Sequence, residues 1–254
     1  MIECLHSVAE ARARARGLSS DGRRLGLVPT MGALHEGHLS LIRRSRAEND
    51  ATVVSIFVNP TQFDDPADLA GYARRHQRDL AMAASAGADL AFVPAENDLY
   101  PDGYRYRVTE TRFACTLEGA HRPGHFDGVL TVVLKLLNIF RPGRAYFGEK
   151  DWQQLQLVRD MVAAFFLDTR IVACPTVRED DGLALSSRNE RLAPDQRQLA
   201  PLLYRALGSA KSEAEITRDL ECAGFVVDYI ERCAGRRLGA VRLGAVRLID
   251  NVES

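Results

Sequence analysis

The sequence predicts an α/β protein: an open parallel sheet covered by helices on both faces, followed by a small α+β segment. Three observations carry this. Short apolar, β-branched runs alternate with stretches of helical spacing from Leu25 to Ala173, the signature of a doubly wound sheet. The segments with candidate functional side chains, 29–38, 59–63, 148–154 and 176–189, each follow a strand candidate, and ligands in such sheets gather at the carboxyl ends of the strands. Around Pro175 the chain turns polar, then helical, then short-stranded.

Taken in order, the arginine run from Ala11 to Arg16 is preceded by acids at Glu3 and Glu10 and lacks a continuous apolar stretch. It reads as a solvated helix face rather than a targeting peptide. Leu25–Val28 is a strand, and a helix opens near Leu39. Thr52–Val58 has the length and branching of a buried parallel strand. Asp79–Ala86 is a helix stopped by Gly87, and Asp89–Val93 the next strand. Gly128–Phe140 is helical, Ala145–Phe147 a strand, Trp152–Phe165 a helix and Arg170–Ala173 a strand. Val177–Asn189 reads as a loop, which places a domain boundary at residue 176 and gives two domains, 1–176 and 177–254. The tail repeats Leu-Gly-Ala-Val-Arg at 238–242 and 243–247. Two units are too few for a solenoid, so a small antiparallel sheet is expected.

Composition narrows the partners. The 254 residues are 46% hydrophobic with a net charge of −1, an ordinary globular balance that gives no electrostatic reason to expect nucleic acid or a membrane surface. Five widely spaced cysteines with no Cys-x-x-Cys fit reduced thiols in a cytoplasm. No apolar run reaches the length of a membrane span.

The chemistry is concentrated in Pro29-Thr-Met-Gly-Ala-Leu-His-Glu-Gly-His38. A strand leading through a glycine-containing turn into a helix aims backbone N–H groups at one point, which suits phosphate. Gly32 and Gly37 let the backbone approach a ligand. His35 and His38, three apart, rise on one face at that anion site, where two imidazoles can donate to oxygens that gain charge during displacement at phosphorus. The pattern points to nucleotidyl transfer. Zinc is improbable, because no further histidine or cysteine lies nearby at ligand spacing.

Further loops add partners. Gly148-Glu149-Lys150-Asp151 follows a strand and opens a helix, so Lys150 suits a phosphate and Asp151 ribose hydroxyls. Ser186-Ser187-Arg188 offers two hydroxyls and a guanidinium fork for a triphosphate, or else a linker with a helix cap. Gln62 and Gln154 are neutral amides suited to the hydroxyl and carboxylate of a small acid.

Four motifs together, 29–38, Val54-Ser-Ile-Phe-Val-Asn-Pro-Thr-Gln-Phe63, Phe147-Gly-Glu-Lys-Asp-Trp-Gln-Gln154 and Ser186-Ser-Arg-Asn189, resemble the pantoate–β-alanine ligase (pantothenate synthetase) family. The resemblance runs from Val28 to Asn189, with a weaker echo at Leu248-Ile-Asp-Asn251. It implies a Rossmann-like fold of the HxGH nucleotidyltransferase type with a small carboxy-terminal lid domain, in a cytoplasmic homodimer. It also implies a two-step reaction in which (R)-pantoate attacks the α-phosphorus of ATP and β-alanine then displaces AMP from pantoyl adenylate. Catalytic roles fall on His38, His35 and Lys150. Nucleotide contacts fall on Met31, Gly32, Ala33, Leu34, His35, Glu36, Gly37, His38, Gly148, Glu149, Lys150, Asp151, Val177, Leu185, Ser186, Ser187 and Arg188. Pantoate falls to Gln62, Gln154, Asn59 and His125, with Gln62 also offered to β-alanine. Magnesium accompanies ATP, and Asp79 matches an acidic position near that ion.

Two departures from the family pattern stand out. Ala73, Arg75 and Arg78 replace residues usual in the Tyr72–Asp79 segment, and the region between Asp228 and Leu243 reads as having lost a loop and part of a strand, predicting a smaller, less firmly held lid. Two other functions fit the same motifs: a ligase for another hydroxy acid or amine, and a transferase that leaves the nucleotide on its product.

Overall fold

Six parallel strands, β1 (Glu3–Leu5), β2 (Leu25–Thr30), β3 (Ala51–Ile56), β4 (Leu90–Phe92), β5 (Arg144–Gly148) and β6 (Arg170–Cys174), align in the order β1-β4-β3-β2-β5-β6 in the computed structural model, which describes residues 2–254. Successive strand residues point to opposite faces, and both faces are apolar. Leu25 and Leu27 of β2, Val53 of β3 and Phe147 of β5 share one cluster with α1 (Val8–Ser20), α4 (His125–Phe140) and α5 (Trp152–Ala164). Val28, Val54 and Tyr146 join the other cluster, with α2 (Glu36–Glu48) and α3 (His76–Ser85). The arginines of α1 lie outward while Ala11, Ala15 and Leu18 are buried, as a solvated helix face requires.

The chain divides into two compact units, one formed by residues up to Gly148 with Gln153–Cys174, the other by Glu149–Trp152 with Pro175–Ser254. The turn 149–152, counted with the first domain by a cut at 176, therefore packs with the second. In that second unit β7 (Val226–Cys233), β8 (Arg236–Leu243) and β9 (Val246–Glu253) form an antiparallel sheet. It shares a core with Leu203 and Leu207 of α6 (Leu202–Leu207) and Ile216 and Leu220 of α7 (Glu213–Cys222). The region between Asp228 and Leu243, read from sequence as shortened, lies in β7, β8 and the turn between them. β7 and β8 are eight residues each and pair from Val226 with Arg242 to Cys233 with Arg236. Their connection is Ala234-Gly235, both at positive φ, the two-residue turn that matches strand twist.

Three further differences from the sequence expectation bear on the candidate segments. α2 opens at Glu36 rather than Leu39, with His35 in extended backbone as its N-cap, because the apolar periodicity begins only where the helix is buried. α4 opens at His125 rather than Gly128, after Gly124. The expected loop 177–189 is in part a hairpin: the Leu185 N–H donates to the Val177 carbonyl, the Glu179 N–H to the Leu183 carbonyl, and Arg178 bridges Ala184. No helix among the described residues is long and apolar enough to cross a membrane.

Candidate active site

At the end of β2 the backbone makes a tight left-handed excursion through Gly32 (φ 83°) and Ala33 (φ 49°). Asp79 of α3 holds it there. The side chain is 2% exposed; one carboxylate oxygen accepts the Ala33 N–H at 2.9 Å and the other the Leu34 N–H at 2.8 Å. A Cβ on residue 32 would stand 2.9 Å from that carboxylate, so glycine is needed for space as well as for φ. The loop amides expected to meet phosphate at Ala33 and Leu34 are thus turned inward, because a buried carboxylate accepts them first. The Gly32 N–H likewise goes to Thr30 Oγ1. That leaves the N–H groups of Glu36 and Gly37, which open α2 and have no intrahelical partner.

His35 and His38 flank those amides, half-buried, with ring centroids 4.1 Å apart. His38 Nδ1 accepts the His35 N–H at 3.4 Å. In the neutral ring the proton therefore sits on Nε2, which makes that nitrogen a donor.

A second corner forms around Gln62, just after β3 and itself buried. Its Nε2–H donates to Met31 Sδ at 3.0 Å, which places it beside the first turn. Its backbone carbonyl accepts from His125 Nδ1 at 2.7 Å and from Arg122 at 3.3 Å, and Arg122 also donates to His125 Nε2 at 3.2 Å. Both ring nitrogens of His125 thus face protein partners, and it anchors the Gln62 backbone rather than presenting a ring nitrogen to an acid. Arg122 is fixed in turn by Asp64 at 2.9 Å and Glu118 at 3.4 Å. Burial pushes the Asp64 carboxyl up, but the bond from Arg122 and its charge outweigh this and leave it below the ordinary carboxylate value. Asn59 is also engaged by protein throughout: Nδ2 donates to Gln62 Oε1 and the Gly128 carbonyl, and Oδ1 accepts from Thr61 and Tyr100. The pantoate contact expected of Asn59 is replaced by a supporting role, since an amide with two N–H and two lone pairs filled has nothing left to offer.

Adjacent glutamines in α5 separate cleanly. Gln153 is buried, accepting from the Glu118 N–H and donating to the carbonyls of Phe113 and Thr116. Gln154 is half-buried and takes no side-chain partner among the described residues.

In the second unit, Asn251 Nδ2 donates to the carbonyls of Glu149 and Lys150 at 2.9 and 3.0 Å. Arg236 donates to Asn251 Oδ1 at 2.7 Å and to Glu149 at 3.3 Å. Arg178 pairs with Asp250 at 2.6 and 2.9 Å and stacks on Tyr204 with the guanidinium 3.9 Å from the ring centroid. Lys150 lies 4.0 Å from the Asp151 carboxylate. Ser186 Oγ accepts the Arg188 N–H and so caps the short turn Ser187–Arg191; Val177 and Leu185 are paired in the hairpin already described.

Among the described residues no group of three or more His, Cys, Asp or Glu could hold a metal ion, and Asp79 has both oxygens on amides. What the structure shows of Asp79 is its hold on the Ala33 and Leu34 amides, which shapes the turn. Arg122, Tyr100 and Asn251 were not picked out as site residues from sequence. Only Asn251 left a signal there, the weak echo at 248–251.

A pantoate–β-alanine ligase family model matches residues 3–253. A pantothenate synthetase from Bdellovibrio bacteriovorus is 53% identical over 253 residues, covering 100% of both chains, and one from Legionella pneumophila is 52% identical over 94% of each. A relative matched along its whole length shows that a carboxy-terminal segment of this size is not peculiar to this chain. Among solved structures, the pantoate–β-alanine ligase from Francisella tularensis, complexed with β-γ ATP and β-alanine, superposes with a TM-score of 0.94 at 42% identity over 100% of this chain and 98% of that one. The pantothenate synthetase of Thermus thermophilus gives 0.89 at 44% identity over 99% of each chain.

Proposed function

The chain belongs to the pantoate–β-alanine ligase family, and from that premise we propose that it condenses (R)-pantoate with β-alanine at the expense of ATP, in two steps. A pantoate carboxylate oxygen attacks the α-phosphorus; a P–O bond forms as the bond to the bridging oxygen breaks and diphosphate leaves. The amine of β-alanine then attacks the acyl carbon of pantoyl adenylate, losing a proton as AMP departs, and pantothenate results.

The observation that carries this reading is the His35–His38 pair at the opening of α2, with His38 Nδ1 held by backbone so that Nε2 is the donor. In the first step His38 and His35, with the N–H groups of Glu36 and Gly37, stabilise charge growing on the phosphate oxygens, and Lys150 adds a cation. Met31 to His38, Gly148 to Asp151, Val177 and Leu185 to Arg188 bind nucleotide in this reading. Gln62 and Gln154 hold pantoate, with Gln62 near the incoming amine. Asn59, His125 and Asp79 support from behind. Magnesium enters with the triphosphate as part of the substrate. The homodimer and the cytoplasmic location belong to the same proposal and are checked by sedimentation and fractionation.

Pantoate-dependent exchange of labelled diphosphate into ATP, followed by AMP release on adding β-alanine, tests the sequence of steps. A stable dinucleotide product would instead mark a transferase, and AMP release with a different amine a different ligase. Gln154→Ala is expected to weaken pantoate by roughly one to two decades, the cost of an unpaired substrate group, with ATP affinity unchanged.

A further inference from the structure

Every hydrogen-bonding valence of the buried Asn59 amide has a protein partner, and one of them, a backbone carbonyl, can only accept and so sets the direction of the rest. The Gly128 carbonyl, 3.1 Å from Nδ2, is only an acceptor, so the Asn59 nitrogen faces it. The opposite end, Oδ1, then faces two hydroxyls, Tyr100 at 2.9 Å and Thr61 at 3.0 Å, both of which donate. The remaining Nδ2–H reaches Gln62 Oε1 at 3.1 Å. A flipped Gln62 would set NH2 against NH2 and lose that bond.

Close packing keeps this geometry. Gly128 lies where a Cβ would stand 2.5 Å from the Thr61 carbonyl and 2.6 Å from the Gln62 nitrogen, so α4 approaches the 59–62 turn as no other residue would allow. Tyr100 is wedged between the rings of Tyr104, 4.5 Å away, and Phe57, 6.2 Å away, beneath the Lys135 ammonium at 4.6 Å from its ring centroid. Burial pushes its hydroxyl up to about 12, so it remains a proton donor throughout the neutral range.

We propose that Asn59, set by Tyr100, Thr61 and the Gly128 carbonyl, locks the Gln62 amide with its oxygen inward, so that toward the acid substrate Gln62 can act only as a donor, through the Nε2–H not directed to Met31 Sδ. Tyr100 and Thr61 are then positioning residues for pantoate, and the pocket selects acids that bring an acceptor oxygen to Gln62. The inference rests on the reading of Gln62 as a pantoate residue.

Three variants test it, with apparent KM measured for pantoate and ATP separately and folding followed by circular dichroism. Gln62→Ala tests the underlying reading and is expected to raise the pantoate KM roughly ten- to hundredfold with ATP unchanged. Gln62→Glu keeps the acceptor toward Asn59 but turns an acceptor to the pocket, and should lose pantoate at least as severely. Thr61→Val with Tyr100→Phe removes both hydroxyls on Asn59 Oδ1 with little change of shape and should raise the pantoate KM about tenfold, again sparing ATP. If that double variant does not fold, the single variants carry the test, each with a rise of a few fold. An unchanged pantoate KM in Gln62→Ala would remove the reading and the inference together. With Gln62→Ala impaired, near-native pantoate binding by Gln62→Glu, or by folded hydroxyl-free variants, would overturn the lock alone.

Discussion

The turns after β2 and after β5 look alike in sequence, each a short strand-to-helix passage with charged or imidazole side chains, yet they are anchored with opposite polarity. In the first, Asp79 accepts the N–H groups of Ala33 and Leu34; in the second, Asn251 donates to the carbonyls of Glu149 and Lys150. An anchor that accepts amides silences them toward any anion and leaves the work to side chains and to the next helix turn. An anchor that donates to carbonyls leaves the amides of its turn to other partners. A strand-turn-helix pattern therefore does not by itself establish which backbone donors meet a phosphate.

The largest effect is expected where side chains have replaced the silenced amides. His38→Ala should slow adenylate formation ~10²–10³ while the protein stays folded; a thermal midpoint falling in step with diphosphate exchange would make His38 a structural residue. Asp79→Asn should follow. Its amide turns N–H toward one of two backbone donors, and an unmet buried group at ~1–3 kcal/mol corresponds to roughly ten- to hundredfold in the first half-reaction. Recovery of that loss by excess magnesium would show the carboxylate holding the ion instead of the turn.

Asn251→Ala probes the other anchor. It should reduce adenylate formation by about tenfold through a loosened Lys150 turn, with conversion of supplied pantoyl adenylate much less affected; equal loss in both half-reactions would break the contrast between the turns. Least of all is expected from Glu149→Ala, which keeps the backbone of the nucleotide turn and removes a partly exposed ion pair with Arg236, worth under ~1 kcal/mol. A change beyond a few fold in diphosphate exchange would mean that the carboxylate does more than brace Arg236.

Much of the fold was legible in sequence because burial writes itself into periodicity. Thr52–Val58 announced β3 (Ala51–Ile56), and the spacing from Gly128 onward announced α4. What periodicity could not show were polar helix openings such as Glu36 and His125, where no apolar face exists to count. Candidate residues were legible as residue types, their roles less so. Gln153 and Gln154 are the same residue type side by side, and the Glu118, Phe113 and Thr116 backbone groups that engage Gln153 set them apart in the structure. Asn59 and His125 lie beside Gln62, but their hydrogen-bond valences face inward, which depends on Gly128, Tyr100 and Arg122, distant in sequence.

The repeated pentapeptide makes the division plainest. Leu238–Arg242 runs straight along β8, whereas the identical Leu243–Arg247 ends β8, turns through Gly244 at φ 59° and starts β9. Sequence by itself determined that both copies offer leucine and valine to an apolar layer, and Leu238, Val241, Leu243 and Val246 are all buried. Where the chain reverses was decided only in the tertiary structure. Pairing with β7 on one side and the return of β9 on the other fixed the register, because glycine permits both an extended and a left-handed backbone at nearly equal cost and leaves the choice to packing.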